Sequence, residues 1–312
     1  MALKRIIYST QKIQFAASVA NTVTALAANV IIPVKSVSLS REIPMEPILA
    51  LGMLKGYDQI QKGWQTFKMD LKCFLPKAVG STAAIPPAFF NQLCKAAQKG
   101  DYVQFRLHPI NVDAVYLKGI LSNISLDNAA GDFIELGLSF QGLGDPSLST
   151  GITNSVVAIS TAPTDIITAA GYSAVEVYDS SSISIPAAYG ETIKSAKFSF
   201  EMPNETIAHL GGLLNTTNAL LTVGTELDKC RIIAKAPYKA SLSFDGTHVL
   251  QNAAARGRDL EGATAPAITF GNIPITIKNG ALKSFSVSQT PGEIGAAFSA
   301  SYEGTSVLQF FS

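Results

Sequence analysis

Four glutamates are spaced for acid–base work. Glu42 and Glu46 lie four apart, and Glu201 and Glu205 repeat the spacing, with Pro44 and Pro203 at the same place inside each pair. Paired carboxylates are what a general acid and a general base require. The proline in each pair, and its place just after an alternating run, favour a loop with a shared turn or contact role instead. His108, His209 and His248 are far apart, with no HExxH and no ligand-like neighbour, so they read as structural. No G-x-S-x-G elbow, P-loop or dinucleotide fingerprint occurs. Cys73, Cys94 and Cys230 are odd in number and widely spaced, which suits reduced core thiols better than a metal site. The sequons at Asn123, Asn204 and Asn215 are what a Ser/Thr-rich chain produces by accident, and Arg256-Gly-Arg258 reads as a solvated helix end. The expectation is a protein that is not an enzyme and has no cofactor and no metal.

The glutamates matter because they belong to a repeat. Val34–Gly52 (VKSVSLSREIPMEPILALG) returns 159 positions later as Ile193–Gly211 (IKSAKFSFEMPNETIAHLG), without a gap and with nine identical positions. These are Lys35/Lys194, Ser36/Ser195, Ser40/Ser199, Glu42/Glu201, Pro44/Pro203, Glu46/Glu205, Ile48/Ile207, Leu51/Leu210 and Gly52/Gly211. The offset is too long for a solenoid unit and is the size of a domain.

Later blocks keep the same order. Phe67–Phe74 alternates as a strand, and Pro86-Pro87 introduces a helix over Ala88–Lys99 with Phe89, Phe90, Leu93, Cys94 and Ala97 on one face before Gly100. The second copy has a strand at Tyr238–Phe244, then a helix capped by Thr247 with Val249, Leu250, Ala253 and Ala254 before Gly257. Each copy ends in a hairpin. Ile120, Ser122, Ile124 and Leu126 match Ala281, Lys283, Phe285 and Val287, with turns at Gly131-Asp132 and Gly292-Glu293. Leu136, Leu138 and Phe140 on the return strand match Phe298, Ala300 and Tyr302. Asn279-Gly280 signals a tight turn, with Lys118-Gly119 as its counterpart.

The predicted organisation is an arm (1–33), a first copy (34–144), a connecting segment with some strands (145–192) and a second copy (193–312). The fold class is mainly β with one helix per repeat. With 312 residues, a net charge of +1, 15% charged and 47% hydrophobic residues, the chain has no general attraction for nucleic acid or anionic membrane. Its charge-poor composition suits broad subunit interfaces and, equally, an ordinary apolar β-rich protein. No run of about twenty apolar residues could span a membrane. Ala16–Ala28 after Lys4 and Arg5 is too interrupted by polar residues for a signal core, which favours an ordered arm, tied down by other elements.

The first closing hairpin, Gly119–Gly144, ends in Ser139-Phe140-Gln141-Gly142-Leu143-Gly144, and the second in the weaker Ser301-Tyr302-Glu303-Gly304. This ending resembles the C-terminal signature of bacteriophage tail tube proteins, and VKSVSLSREIPMEPI resembles that family's first strand and its descent into a loop. The resemblance implies a β-sandwich or barrel-like tail tube fold, duplicated in tandem. It also implies a virion protein, assembled in the bacterial host cytoplasm, whose stacked rings conduct DNA into the host. Two domains per chain would give trimeric rings with pseudo-sixfold symmetry and an inner wall of paired strands. The implied partners are the chain itself, a tape-measure protein and a tail-terminator protein, with DNA passing through the lumen without sequence readout and no membrane involved. The segments after the repeated openings would contact the adjacent ring, through Met53, Lys55, Tyr57, Asp58, Gln59 and Lys62 in one copy and Leu213, Thr217 and Glu226 in the other. The rival readings are the tube of a contractile injection or type VI-like system, and a secreted β-sandwich binding module.

Overall fold

Alternation of apolar and polar residues builds the molecule. In Thr66–Phe74, Phe67, Met69, Leu71 and Cys73 are buried while Lys68, Asp70 and Lys72 are exposed, the pattern of a strand with one face on a core. The same pattern runs through most long strands of a computed structural model of the chain, which is mainly antiparallel β. The structure describes residues 6–7, 12–16, 30–42, 45–48, 58–61, 66–75, 77, 90–91, 93–94, 103–108, 115–143, 175–184, 192–208, 230–235, 237–249, 265–288 and 295–307.

The N-terminal segment supplies β1 (Ile6–Ile7) and β2 (Lys12–Ala16). The first half then runs β3 (Val30–Glu42), β4 (Met45–Ile48), β5 (Asp58–Gln61), β6 (Thr66–Phe74), β7 (Val103–His108), β8 (Val115–Ala129) and β9 (Glu135–Leu143). Between the halves lie β10 (Val175–Glu176), one 3-10 turn at Ser180–Ser182, and β11 (Ile183–Ser184). The second half opens with β12 (Thr192–Glu201), β13 (Asn204–Ala208), β14 (Cys230–Ala234) and β15 (Lys239–Val249). It continues with β16 (Ile268–Phe270), β17 (Ile273–Ile275), β18 (Ile277–Lys278), β19 (Ala281–Ser288), β20 (Gly295–Gly304) and β21 (Ser306–Val307).

Within the first half, β3 pairs with β6, β6 with β9 and β9 with β8. Within the second, β12 pairs with β15, β15 with β20 and β20 with β19. The strand order is the same. So are the irregularities: the register shifts at Lys35 (β3–β6) and at Lys194 (β12–β15), and again at Ser122 (β8–β9) and at Lys283 (β19–β20). A bulge adds one unpaired residue and bends the strand. At these bends β3 and β8 change partners. Their first residues pair with β2 and β7, which also pair with each other, and their later residues join β6 and β9. The circuit β8-β7-β2-β3-β6-β9 closes on itself.

Several local expectations are corrected. Lys118 and Gly119 form no turn; they lie inside continuous β8, where the chain leaves β7 for β9. A Cβ on Gly119 would sit 3.1 Å from the Gln141 carbonyl oxygen, so the glycine allows close strand approach instead. Asn279 does adopt a left-handed φ of 54°, but the turn joins β18, paired with β21, to β19 in the main sheet and not two strands of one hairpin. Thr247 and Val249 do not begin a helix, because the ladder with β20 carries β15 on to Val249. The rest of that proposed helix lies outside the described residues. In the first half Phe90, Asn91, Leu93 and Cys94 are helical, with Phe90, Leu93 and Cys94 buried. The bulge at Ser122 also transfers the core face from Ile120 to Leu121, breaking the simple alternation read from sequence. The turn at Gly131, φ 89°, stands as expected, and Gly292-Glu293 lies outside the described residues.

The core is rich in aromatic residues. Phe140, Phe198, Phe200, Phe244 and Tyr302 are fully buried. Phe244 stacks on Tyr302 at 6.0 Å between ring centroids and meets Phe298 edge-on at 6.1 Å.

Candidate functional site

The paired glutamates do not form a site. Glu42 ends β3 and Glu201 ends β12, both exposed. Glu46 and Glu205 lie in the hairpins β4–β5 and β13–β14, not in loops, because each segment after the proline finds an antiparallel partner. Glu205 pairs with Lys235 at 2.9 Å. His108 sits in β7 opposite Lys12 and His248 in β15 opposite Ala296, while His209 lies outside the described residues. Among the described residues no group of three His, Cys, Asp or Glu could hold a metal ion, and no helix is long and apolar enough to cross a membrane.

Cys73 and Cys94 are free and buried. Burial pushes the Cys73 thiol up to about 12 and Cys94 well above its usual value, because a thiolate there would be stripped of water. Neither should be alkylated by a thiolate-selective reagent at pH 8 until denaturant is added, as intact-mass spectrometry would read.

Of the residues expected to touch an adjacent ring, Asp58 and Gln59 are in β5, opposite Ile48 and Pro47 of β4. Met53, Lys55, Tyr57, Lys62, Leu213, Thr217 and Glu226 lie outside the described residues. The two halves do place a hairpin at matching positions, β4–β5 and β13–β14.

The feature that alternation alone does not reveal is how the halves meet. β8 of the first half pairs antiparallel with β12 of the second, from Ser195 opposite Ala129 to Glu201 opposite Asn123. Hydrogen bonds from Ala130 N to Lys194 O (2.7 Å) and from Met202 N to Ser122 O (2.8 Å) extend the junction at both ends. Phe198 lies opposite Leu126 and Phe200 opposite Ile124, all four fully buried. On the other face Ser199 Oγ donates to Asn123 Oδ1 at 3.2 Å, and Lys197 lies 3.9 Å from Asp127.

The result is one sheet ordered β3-β6-β9-β8-β12-β15-β20-β19. Its outer strands end differently from its interior. Ser36–Glu42 of β3 pair with β6 alone, and β19 pairs with β20 alone, among the described residues. Val37 and Leu39 are 39% and 43% exposed, whereas Ala196 and Phe198, which hold the same repeat positions, are 1% and 0% exposed. Val287 is 51% exposed, whereas its counterpart Leu126 is 0% exposed.

One face of this sheet carries Ser36, Ser38, Ser40, Ser139, Ser195, Ser199 and further serines, with acidic and basic residues among them, several of which are bonded across strands. Ser139 Oγ donates to Asp70 (2.6 Å) and Ser195 Oγ to Asp245 (2.9 Å); Lys35 bonds Glu135. Glu303 accepts from Lys283 and lies 3.3 Å from Lys239; the Lys283 bond first, then Lys239, holds its carboxyl below the usual range. The opposite face packs on the core. No protein-family model matches the chain, and no curated protein sequence is detectably similar to it.

Proposed function

We propose that the chain is a tandem duplication of a tail-tube-type β domain and serves as a structural protein that polymerises into stacked rings, forming the tube through which a phage passes its DNA. The observation that carries this reading is the side-by-side arrangement of two four-strand units with the same strand order and the same two bulges, joined edge to edge into one sheet. The operation that takes the first unit to the second can be applied again. Three chains supply six units, and a closed ring of roughly 24 strands would be about 40–50 Å across at the backbone. That is wide enough to admit a DNA duplex. The serine face, which carries acidic and basic residues together, is the face free to line such a lumen, since the other is occupied by the core. A surface without excess positive charge gives phosphates no counter-ion release to gain, so DNA slides without being held. A tape-measure protein inside the tube and a terminator at its end are the partners this role requires, and the place of work is the virion tail.

Negative-stain and cryo-electron microscopy of the purified protein test the reading. Rings or tubes with three chains per ring are expected. Six chains per ring would overturn the stoichiometry, and a stable monomer at high concentration would overturn the function.

A further inference from the structure

We infer that β19 of one copy of this chain adds to β3 of the next copy in a defined antiparallel register: Leu39 opposite Val287, Ser40 opposite Ser286, Arg41 opposite Phe285 and Glu42 opposite Ser284. The inference deepens the ring reading and rests on it only for closure; edge pairing itself follows from the molecule.

The register comes from the junction already inside the chain. β12 occupies the place of β3 in its half, and β8 the place of β19. The shared bulges fix the match residue by residue: Lys194 with Lys35, and Ser122 with Lys283. Transferring Phe198 opposite Leu126 gives Leu39 opposite Val287, and transferring Ser199 opposite Ser125 gives Ser40 opposite Ser286.

Three observations support a second copy as the occupant. The apolar residues exposed at the two ends are the counterparts of residues that the internal junction buries. The two edges are complementary, since among the described residues each lacks the partner that the other provides. The polar face also matches, because Ser38 and Ser40 would meet Ser288 and Ser286, with no like charges opposed. An exposed strand edge bearing Val and Leu is otherwise an aggregation hazard, and pairing removes it. The contact is heterologous, so repetition either closes a ring or runs on as a filament.

Cysteine pairs read the register directly. The double variant Ser40→Cys/Ser286→Cys, oxidised after assembly, should form intermolecular disulfides at least about tenfold faster than the shifted pair Ser40→Cys/Ser284→Cys, because only facing residues bring Cα atoms within disulfide range. The adjacent pair Leu39→Cys/Val287→Cys tests the same register from the other face, and one of the two pairs occupies the closer, non-hydrogen-bonded site. All these positions are exposed in the single chain or, for Ser284, on the exposed edge strand, so folding is not at stake. No crosslinking, or crosslinking no faster than in the shifted pair, overturns the edge inference, even if tubes form. A non-reducing ladder that stops at three chains supports ring closure as well; one that runs on beyond three supports the edge pairing and overturns the trimeric ring.

Discussion

Truncating Phe198 to alanine should lower the unfolding free energy by about 3–5 kcal/mol, the usual cost of removing a buried phenylalanine when the site cannot collapse around the loss. Phe198 is fully buried, its ring 6.3 Å from that of Phe90, and it lies opposite Leu126 at the junction between the halves. Against a typical total of about 5–15 kcal/mol, such a loss is a large fraction of the stability. Leu39→Ala makes the informative comparison. It holds the same repeat position but is 43% exposed in the single chain, so under dissociating conditions it should cost much less than Phe198→Ala. Urea titration of both variants checks the contrast. Equal destabilisation would mean that the two positions have the same surroundings and that the equivalence of β3 and β12 has been misread.

Leu39→Asp and Val287→Asp should each abolish assembly while leaving the single chain folded. Both side chains are solvated in the isolated molecule, where a carboxylate costs little. Once β19 of one copy adds to β3 of another, each becomes the counterpart of a fully buried residue, and an unpaired charge there carries a desolvation penalty of several kcal/mol. Sedimentation should find monomers with unchanged circular dichroism, where the parent chain should sediment as rings or tubes. Tubes of normal length from either variant would rule out burial of these residues on assembly. The combination Leu39→Asp with Val287→Lys is the useful companion, because opposite charges face each other and part of the assembly should return.

Much of this arrangement is legible in the residues. The gapless match of Val34–Gly52 with Ile193–Gly211 locates β3 and β12, and the alternation of Phe67, Met69, Leu71 and Cys73 places β6 with its buried face. The β8–β9 hairpin follows from Gly131 and its flanking alternation. The misreadings have a common physical cause. Lys118-Gly119 and Thr247–Val249 carry turn or cap residue types, but long-range ladders to β7 and β20 outweigh the local preference. Bulges at Lys35 and Ser122 are likewise invisible to a period-two reading, because they break the period where the strand turns a corner.

The candidate surface was less legible than the fold. Val37 and Leu39 look like ordinary core residues, and only the comparison with the buried Ala196 and Phe198 marks their exposure as unusual. The signal was present in the repeat alignment, where apolar residues recur at both positions. What it lacked was the pairing of β8 with β12, a contact between residues distant in sequence.

That pairing also bears on the kinetics of growth. β8 and β12 are covalently connected, so their encounter is intramolecular and its cost is loop closure, which rises only slowly with the length of the connection. The local concentration of one strand about the other does not fall on dilution, whereas an encounter between chains does. If copies add edge to edge as proposed, every second junction along the growing sheet is already made when a chain folds. In the proposed ring, diffusion would have to supply only the alternate ones, which would lower the molecularity of nucleation and let rings form at concentrations where separate single-unit chains would remain dispersed.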